Sequence, residues 1–251
     1  MLAAQGKIGV GVMAAEASAG VPAVGVTGER VGPDSALDRF ARGGLWLLPV
    51  YGLANLIGTL SSQPDYKKDF PGYARYIRTS QFLASHLLAS MLGTAIGLLG
   101  FIALFVYLAR GRRAGFAASA LVATVVGNVY MVALFGVAAF AQRAIGKAYL
   151  AGRHDVVSLN SSVYGNAANI TVGVGLGLFF IGMVLFAVAI SASRSLPRAA
   201  GVLLVLWLPI FAIGSVMGNA LDKIGSILLI GVGTWIALRV WRTEGAVEQR
   251  S

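Results

Sequence analysis

Long apolar stretches alternate with short charged ones along most of the chain. Residues 83–109, 114–142, 156–193 and 199–221 contain no Asp, Glu, Lys or Arg. Each stretch is at least as long as the about 20 residues that an α-helix needs to cross about 30 Å of hydrocarbon. The core of a soluble protein does not require such runs, so the pattern predicts an all-α integral membrane helical bundle.

Six transmembrane helices are predicted from these stretches and their flanks. They cover residues 44–60, 82–109, 114–141, 166–192, 199–218 and 224–241. Pro49 and Pro209 fall inside the first and the fifth, where neighbouring helices can satisfy the carbonyl groups that a proline leaves free. The transmembrane domain is therefore expected to comprise residues 44–242.

The two ends of the chain differ from its middle. Residues 1–43 are rich in Ala, Gly and Val and have no helical or strand period, which predicts a low-complexity, disordered tail. A weak secretory signal peptide and an upstream extension before Met13 are alternative interpretations. Within this region, residues 35–42 could form a short amphipathic helix on the membrane. Residues 243–251 are expected to be a C-terminal tail.

The basic residues near the predicted helix ends indicate an orientation. The loops GRR (111–113) and SRSLPR (193–198) are short and basic, whereas the opposite loops are longer and mix in several Asp residues. Because Lys and Arg accumulate on the cytoplasmic side, we expect both termini in the cytoplasm. Fifteen Arg against five Lys suggest a bacterial genome rich in G and C, and hence a plasma (inner) membrane location.

The composition agrees with a membrane protein and excludes several other classes. Charged residues make up 12% of the chain, against about 25% in soluble domains. The net charge of +10 does not indicate a nucleic-acid partner, because the basic residues are spread over all loops and termini. The chain has no Cys, which excludes disulfides and Cys-ligated metals. The expected partners are the lipid bilayer and a membrane-protein partner or second copy; no cofactor is expected.

Three pairs of glycines, each spaced by four residues, predict faces of close helix packing. Small residues at this spacing let helix backbones approach closely within a membrane. The glycines are Gly93, Gly97, Gly173, Gly177, Gly214 and Gly218.

A faint internal repeat is also visible. The segment beginning at Gly93 resembles the one beginning at Gly173, and AQRAIG at 141–146 matches ALDKIG at 220–225. Two predicted helices separate the copies, so the copies would share one orientation and form a parallel repeat about an axis along the membrane normal.

Few polar side chains lie at membrane depth. No Asp, Glu, Lys or Arg falls inside the first five predicted helices, which argues against proton-coupled transport. Asn55, Asn128 and His86 are the buried polar candidates. Asn128 either contacts a ligand in a central cleft or makes a hydrogen bond between helices, and the second interpretation is the commoner role of such residues.

The segment PDYKKDFPGYARYIR (64–78) concentrates charges and tyrosines between two apolar stretches. Its spacing after Pro71 predicts an interfacial helix with tyrosines at head-group depth and arginines on phosphates. The anchor residues would be Tyr73, Arg75, Tyr76 and Arg78. Recognition of an anionic extracellular ligand or partner is the alternative.

Catalytic and metal-binding chemistry find little support in the sequence. His86 and His154 each stand alone, without the spacing of metal ligands, and no Ser lies in a recognisable nucleophile turn. We therefore expect no metal site and no enzyme activity.

Two segments carry a resemblance to a known group of proteins. FGVAAFAQRAIGKAYLAG at 135–152 and RAAGVLLVLWLPIFAIG at 198–214 resemble stretches of small uncharacterised membrane proteins of actinobacteria and their relatives. The resemblance covers the second to the sixth predicted helix, and it implies no activity and no functional residue.

Three functional classes follow from the sequence. The first is a non-catalytic membrane protein that acts as a scaffold, regulator or partner subunit. The second is a facilitator or transporter of a small solute, which six helices and an internal repeat would suit. A membrane enzyme is the third. A cavity that reaches Asn128 would favour the second class, whereas a dry bundle packed through its glycines would favour the first.

Overall fold

The structure, a computed structural model, describes residues 35–60, 63–217 and 220–248, with side chains up to residue 242. Helices make up nearly all of these residues, which contain no strand. In chain order the helices are α1 Ala36–Gly44, α2 Leu47–Gly58, α3 Phe70–Tyr76, α4 Ser80–Leu108, α5 Ala114–Leu150, α6 Val156–Val163, α7 Asn166–Ser193, α8 Arg198–Met217 and α9 Leu221–Glu248. Short π-helical segments interrupt α4 at Ser85–Leu92 and α5 at Ala138–Gln142.

Within the described residues, five stretches of helix are long and apolar enough to cross a membrane. They are α4, α5, the stretch that combines α6 and α7, α8, and α9 up to Arg242. The described part of the chain is therefore all-helical and has the features of a multi-pass membrane protein. The first predicted transmembrane helix is not among the five, because α2 has only 12 residues. Its length of about 18 Å falls short of the about 30 Å of hydrocarbon.

Pro49 explains the break between α1 and α2. A proline has no N–H, and its ring crowds the carbonyl four residues earlier, which here belongs to Leu45. That carbonyl instead accepts a hydrogen bond from the Leu48 N–H at 3.2 Å, and the Gly43 carbonyl accepts one from the Trp46 N–H at 3.2 Å. These tighter bonds carry the chain across the break, so α1 and α2 form one helix kinked at the proline.

The kinked helix runs antiparallel to α4. At its start, Asp38 forms an ion pair with Arg110, just beyond the end of α4. Further along, α2 lies so close to α4 that a Cβ on Gly93 would stand 2.9 Å from the Ala54 Cβ. Together α1 and α2 therefore follow α4 from its C-terminal end to its π-helical segment.

The remaining long helices alternate in direction. Thr124 contacts Gly182, and Gly127, which lies further along α5, contacts Phe179, which lies earlier in α7. Helices α5 and α7 are therefore antiparallel. Helix α7 packs on α8, α8 on α9, and α9 on α2. The loops 109–113 and 194–197 therefore lie at one end of the bundle, which we name the basic end. The start of α1 and the last described side chains of α9 lie at this end as well.

A small extra layer covers the other end of the bundle, which we name the cap end. It consists of α3, α6 and the last turns of α5, which pack on one another around their own apolar cluster. The buried members of this cap cluster are Phe70, Tyr73, Ala74, Ile77, Phe82, Ile145 and Val156. A larger apolar cluster fills the bundle towards the basic end and includes Leu48, Phe101, Met183, Phe186 and Trp207.

Two features of the predicted organisation differ in the structure. Helices α4 and α7 share a direction, as the repeat requires, but residues 141–146 lie within α5 whereas residues 220–225 begin α9. The repeat is therefore not confirmed. The backbone of α9 continues to Glu248, beyond the predicted end at 242, and residues 1–34 of the predicted tail lie outside the described residues.

Candidate functional site

A cavity of about 650 Å³ occupies the half of the bundle nearer the cap end. It brings together the three polar residues that the sequence singled out separately. Asn55 comes from α2, His86 from the π-helical segment of α4, and Asn128 from the middle of α5. These residues are far apart in the sequence, and only the packing of the helices brings them to the same cavity.

The cavity is partly open, and its opening lies at the cap end. Gln63, Ser85 and Lys223 line it there, where α4 and α9 begin. Asp222 and Lys223 are the two charged residues in the lining, and they pair with each other. The Asp222 carboxylate accepts hydrogen bonds from the Lys223 backbone N–H at 2.7 Å and from its Nζ at 3.4 Å. The charges at the mouth thus neutralise each other.

Aromatic rings close the cavity towards the basic end. The Tyr51 ring meets Trp207 edge to face at a centroid distance of 6.0 Å, and Trp207 meets Phe179 at 5.8 Å. These three residues line the cavity. Phe101 lies below them, at 6.5 Å from Tyr51 and 5.9 Å from Phe179, and stacks on Phe186 at 5.8 Å. We name these five residues the aromatic floor.

The π-helical segment of α4 forms one wall of the cavity. Such segments are rare and occur frequently at functional sites. This one presents Ser85, His86, Ala89 and Ser90 to the cavity. The Ser90 hydroxyl donates to the Ser85 carbonyl at 3.3 Å, a bond that spans five residues as the wider helical turn allows.

The hydrogen bonds of His86 determine what its ring offers the cavity. Nδ1 lies 2.9 Å from the Phe82 carbonyl, which can only accept a hydrogen bond, so Nδ1 carries a proton. In the neutral ring Nε2 is therefore an acceptor. The ring also packs on Phe82 in a tilted arrangement with a centroid distance of 4.2 Å, which holds its orientation.

Asn128 is satisfied within its own helix. Its Nδ2 donates to the Thr124 carbonyl at 2.8 Å, and the residue is 3% exposed. This hydrogen bond lies within α5, whereas the prediction placed it between helices. Asn128 also lines the cavity, as the alternative of a ligand contact requires.

Two other donors of the lining have no partner among the described residues. They are Asn55 Nδ2 and Trp207 Nε1, and both atoms are shielded from solvent. A buried polar group without a hydrogen bond costs about 1–3 kcal/mol, and such groups are uncommon in folded proteins. Because both nitrogens are shielded, neither is exposed to the open space of the cavity.

The six glycines of the predicted packing faces have different surroundings. A Cβ on Gly97 would come within 2.5 Å of the Tyr51 ring, and Gly93 contacts α2 as described above. Gly214 lies against the backbone of Asp222. In contrast, a Cβ on Gly173 or Gly177 would meet no described atom within 4 Å, so these two do not lie in a helix contact. Gly218 lies outside the described residues.

The closest contact between α5 and α7 uses other glycines. A Cβ on Gly127 would lie 2.6 Å from the Phe179 backbone nitrogen, and one on Gly175 would lie 3.0 Å from the Tyr130 Cβ. Gly182 adjoins Thr124. Gly175 lies between Gly173 and Gly177 in sequence, hence on another face of the helix, and the four-residue spacing alone gave no sign of this.

The predicted interfacial anchor forms part of the cap cluster. Tyr73 is 1% exposed and packs on Phe70 and Tyr66, rather than lying at the surface. Burial raises the pKa of the Tyr73 hydroxyl above its ordinary range, which keeps it neutral. Tyr76 is half-buried against Phe82, whereas Arg75 and Arg78 are exposed.

The two histidines do not share a site. His154 packs edge to face on Tyr149 in the cap, with a centroid distance of 4.7 Å, and it does not line the cavity that contains His86. Over residues 35–60, 63–217 and 220–242, no group of three His, Asp or Glu side chains could hold a metal ion.

Tyr51 and Trp207 line the cavity, but the sequence did not single them out. One signal for them was present: Tyr51 follows Pro49 by two residues, and Trp207 precedes Pro209 by two. A proline at membrane depth marks a place where a helix departs from regular geometry.

Comparisons with known proteins add nothing to this picture. No protein-family model matches the chain, and no curated protein or solved structure is significantly similar to it.

Proposed function

We propose that the protein is a facilitator that binds a small, uncharged solute in its central cavity. The observation that carries this proposal is a cavity of about 650 Å³ that extends from the cap end to Asn128. Volumes of this size are typical of small-molecule sites, as is a largely apolar lining with a few polar groups. The sequence alone favoured a scaffold over a facilitator, whereas the cavity favours the facilitator.

The lining supports an uncharged solute. Its two charged residues are Asp222 and Lys223, which pair with each other at the mouth. Deeper in the cavity, the polar side chains are amides, hydroxyls, the imidazole of His86 and the indole of Trp207. A charged solute without a counter-charge would have to give up its hydration at a cost of several kcal/mol, whereas a neutral one would not.

The position of the prolines supports passage through the aromatic floor. Tyr51 and Trp207 contribute to that floor from α2 and α8, and each lies two residues from a proline of its own helix. Pro49 already bends the chain at Leu45, as the fold shows. Because a proline removes a backbone hydrogen bond, each helix can bend beside its floor residue. In this proposal such bending opens the floor and lets the solute pass.

The proposed topology has six passes. The kinked helix of α1 and α2 would form the first, since it runs antiparallel to α4 from the basic end towards the cap end. Both termini would then lie in the cytoplasm of a bacterial cell, because the short basic loops 109–113 and 194–197 lie on the same side as the start of α1 and the last described side chains of α9. The cavity would open towards the outside of the plasma membrane.

A cavity-filling substitution tests this proposal. Ser90 lines the cavity, so Ser90→Trp places a large ring inside it, whereas Ser158→Trp adds the same ring on the exposed surface of the cap. Each protein is purified from membranes, and the small molecules that it releases on denaturation are identified by mass spectrometry. We expect one uncharged compound from the wild type and from Ser158→Trp but not from Ser90→Trp. Identical profiles from all three proteins would refute a solute site in the cavity.

A further inference from the structure

We infer that the cavity binds its solute through a hydroxyl group, which donates a hydrogen bond to Asn128 Oδ1. This inference rests on the proposed function and specifies the chemical class of its solute, an uncharged and otherwise apolar alcohol. It is carried by three kinds of polar atom in the lining, namely an amide oxygen, a ring nitrogen and hydroxyl oxygens.

The side-chain amide of Asn128 is paired on one side only. Its Nδ2 lies 2.8 Å from the Thr124 carbonyl oxygen, which can only accept, so the nitrogen must be on that side. On the other side, Oδ1 has no hydrogen-bond partner among the described residues and is not shielded from solvent. Asn128 is 3% exposed and lines the cavity, so the accessible oxygen faces the cavity. The middle of the bundle therefore offers a solute an acceptor.

A second acceptor lies nearer to the mouth. His86 belongs to the π-helical segment of α4, which packs on α5, and it lines the same cavity. Its Nδ1 carries the proton of the neutral ring, so Nε2 accepts. Nε2 likewise has no partner among the described residues and is not shielded from solvent. A solute that enters the cavity thus passes one acceptor before it reaches Asn128.

Four hydroxyl groups of the lining have no proton left for a solute. Each donates its proton to a backbone carbonyl three to five residues earlier, at distances from 2.8 to 3.3 Å, so its oxygen can only accept a further hydrogen bond. These hydroxyls belong to Thr59, Ser85, Ser90 and Ser215. The two donors without a partner, Asn55 Nδ2 and Trp207 Nε1, are shielded from the cavity. The lining therefore favours a solute that donates.

A hydroxyl group meets this requirement without charge. It donates one hydrogen bond, and it brings no carbonyl oxygen that would need a donor of its own. An ammonium ion would also donate, but burying its charge requires a counter-charge. The carboxylate in the lining, Asp222, already pairs with Lys223 at the mouth. Apolar side chains such as Leu176 and Phe211 also line the cavity and offer favourable contact to the rest of the alcohol.

Two compounds of similar size isolate the hydroxyl group. Cyclohexanol donates and accepts, whereas cyclohexanone has a similar ring and one oxygen but only accepts. The melting temperature of the detergent-solubilised full-length protein is recorded against the concentration of each compound, and the dissociation constants follow from the shifts. We expect cyclohexanol to bind about tenfold more tightly, because the ketone covers Oδ1 without donating to it and leaves a buried acceptor unpaired.

Substitutions then assign the preference to Asn128. Asn128→Leu and Asn128→Ala both remove Oδ1, and we expect each to reduce the preference for the alcohol several-fold. The two replacements differ in size, so the alanine variant tests the same point if the leucine variant fails to fold. Met131→Leu also changes the cavity wall but removes no oxygen or nitrogen, so it should retain the preference.

The outcomes separate this inference from the proposed function. Equal binding of the two compounds, lost in Ser90→Trp, would keep the cavity as a solute site and overturn the hydroxyl inference. A preference for the alcohol that both Asn128 variants retain would also overturn it, and its loss in His86→Phe alone would assign recognition to His86 instead. If Ser90→Trp leaves both affinities unchanged, or if neither compound binds, the hydroxyl inference falls. The proposed function is then decided separately, by the compound that the wild-type protein releases.

Discussion

Asn160, in helix α6 of the cap, is completely buried, and neither its Nδ2 nor its Oδ1 has a hydrogen-bond partner among the described residues. Replacing such a group by an apolar side chain of similar size removes an unmet polar requirement. We therefore expect Asn160→Leu to raise the melting temperature of the detergent-solubilised protein or to leave it unchanged. Asn169→Leu, at an exposed position of α7, is the matched control and should have little effect. A fall of several degrees for Asn160→Leu alone would show that its amide is paired.

Individual side chains near the cavity illustrate what a sequence can reveal. The sequence could single out Asn55, Asn128 and His86, because burying a polar group in an apolar helix costs free energy that another interaction must offset. Tyr51 and Trp207 were not predictable, because aromatic residues are common in membrane helices. Their role depends on which rings meet across helices, and the local pattern does not contain that information.

The contact between α5 and α7 gives the clearest test of helix packing. A Cβ on Gly127 would stand 2.6 Å from the Phe179 nitrogen and 2.7 Å from the Gly175 carbonyl oxygen, and both are backbone atoms that cannot rotate away. We expect Gly127→Ala to destabilise the protein by about 1–3 kcal/mol, the usual cost of overpacking. Gly177→Ala should be neutral or stabilise it by up to about 1 kcal/mol, since its Cβ meets nothing within 4 Å.

Reversible unfolding of both variants in mixed micelles measures the difference. A Gly177→Ala variant that loses as much stability as Gly127→Ala would mean that Gly177 also lies in a contact, for example with a second copy of the chain. Equal and negligible effects would mean that α5 and α7 are less closely packed than described.

The sequence predicted the positions of the helices closely, but it did not predict which face of each helix packs on a neighbour. Lengths of apolar runs predicted α4, α5, α7, α8 and α9 within a few residues at most ends, because hydrocarbon thickness fixes the length of a helix that crosses it. The break before α2 followed from Pro49 only in part, since a proline can be absorbed without ending a helix. Which glycines touch a neighbour depends on the rotation of each helix, and a four-residue spacing does not specify it.

The orientation of the whole bundle is testable through the loops at the basic end. The chain has no Cys, so a single introduced thiol reports its own location. We expect Ser195→Cys, in the loop between α7 and α8, to resist a membrane-impermeant thiol reagent in intact cells. Ser158→Cys, exposed on the cap, should react. The reverse pattern would place the basic loops and both termini outside the cell.

The cavity is a property of the complete bundle. It forms where α2, α4, α5, α7, α8 and α9 approach one another without filling the space between them. A gap of this kind has no local signature, because it depends on the side chains of six helices at once. The sequence could therefore state what a cavity at Asn128 would imply, but it could not predict that the cavity exists.

The central claim is that the bundle is open from the cap end to its middle and closed by the aromatic floor. Thiol accessibility tests it most directly, with Ser90→Cys in the cavity wall and Ala120→Cys, which is 0% exposed, in the packed half. Both variants are treated with an impermeant reagent in right-side-out and in inside-out vesicles. The structure predicts that Ser90→Cys reacts only from the side on which Ser158→Cys reacts, and that Ala120→Cys reacts from neither. A Ser90→Cys variant that reacts from neither side, or as fast from the side of Ser195→Cys, would contradict it.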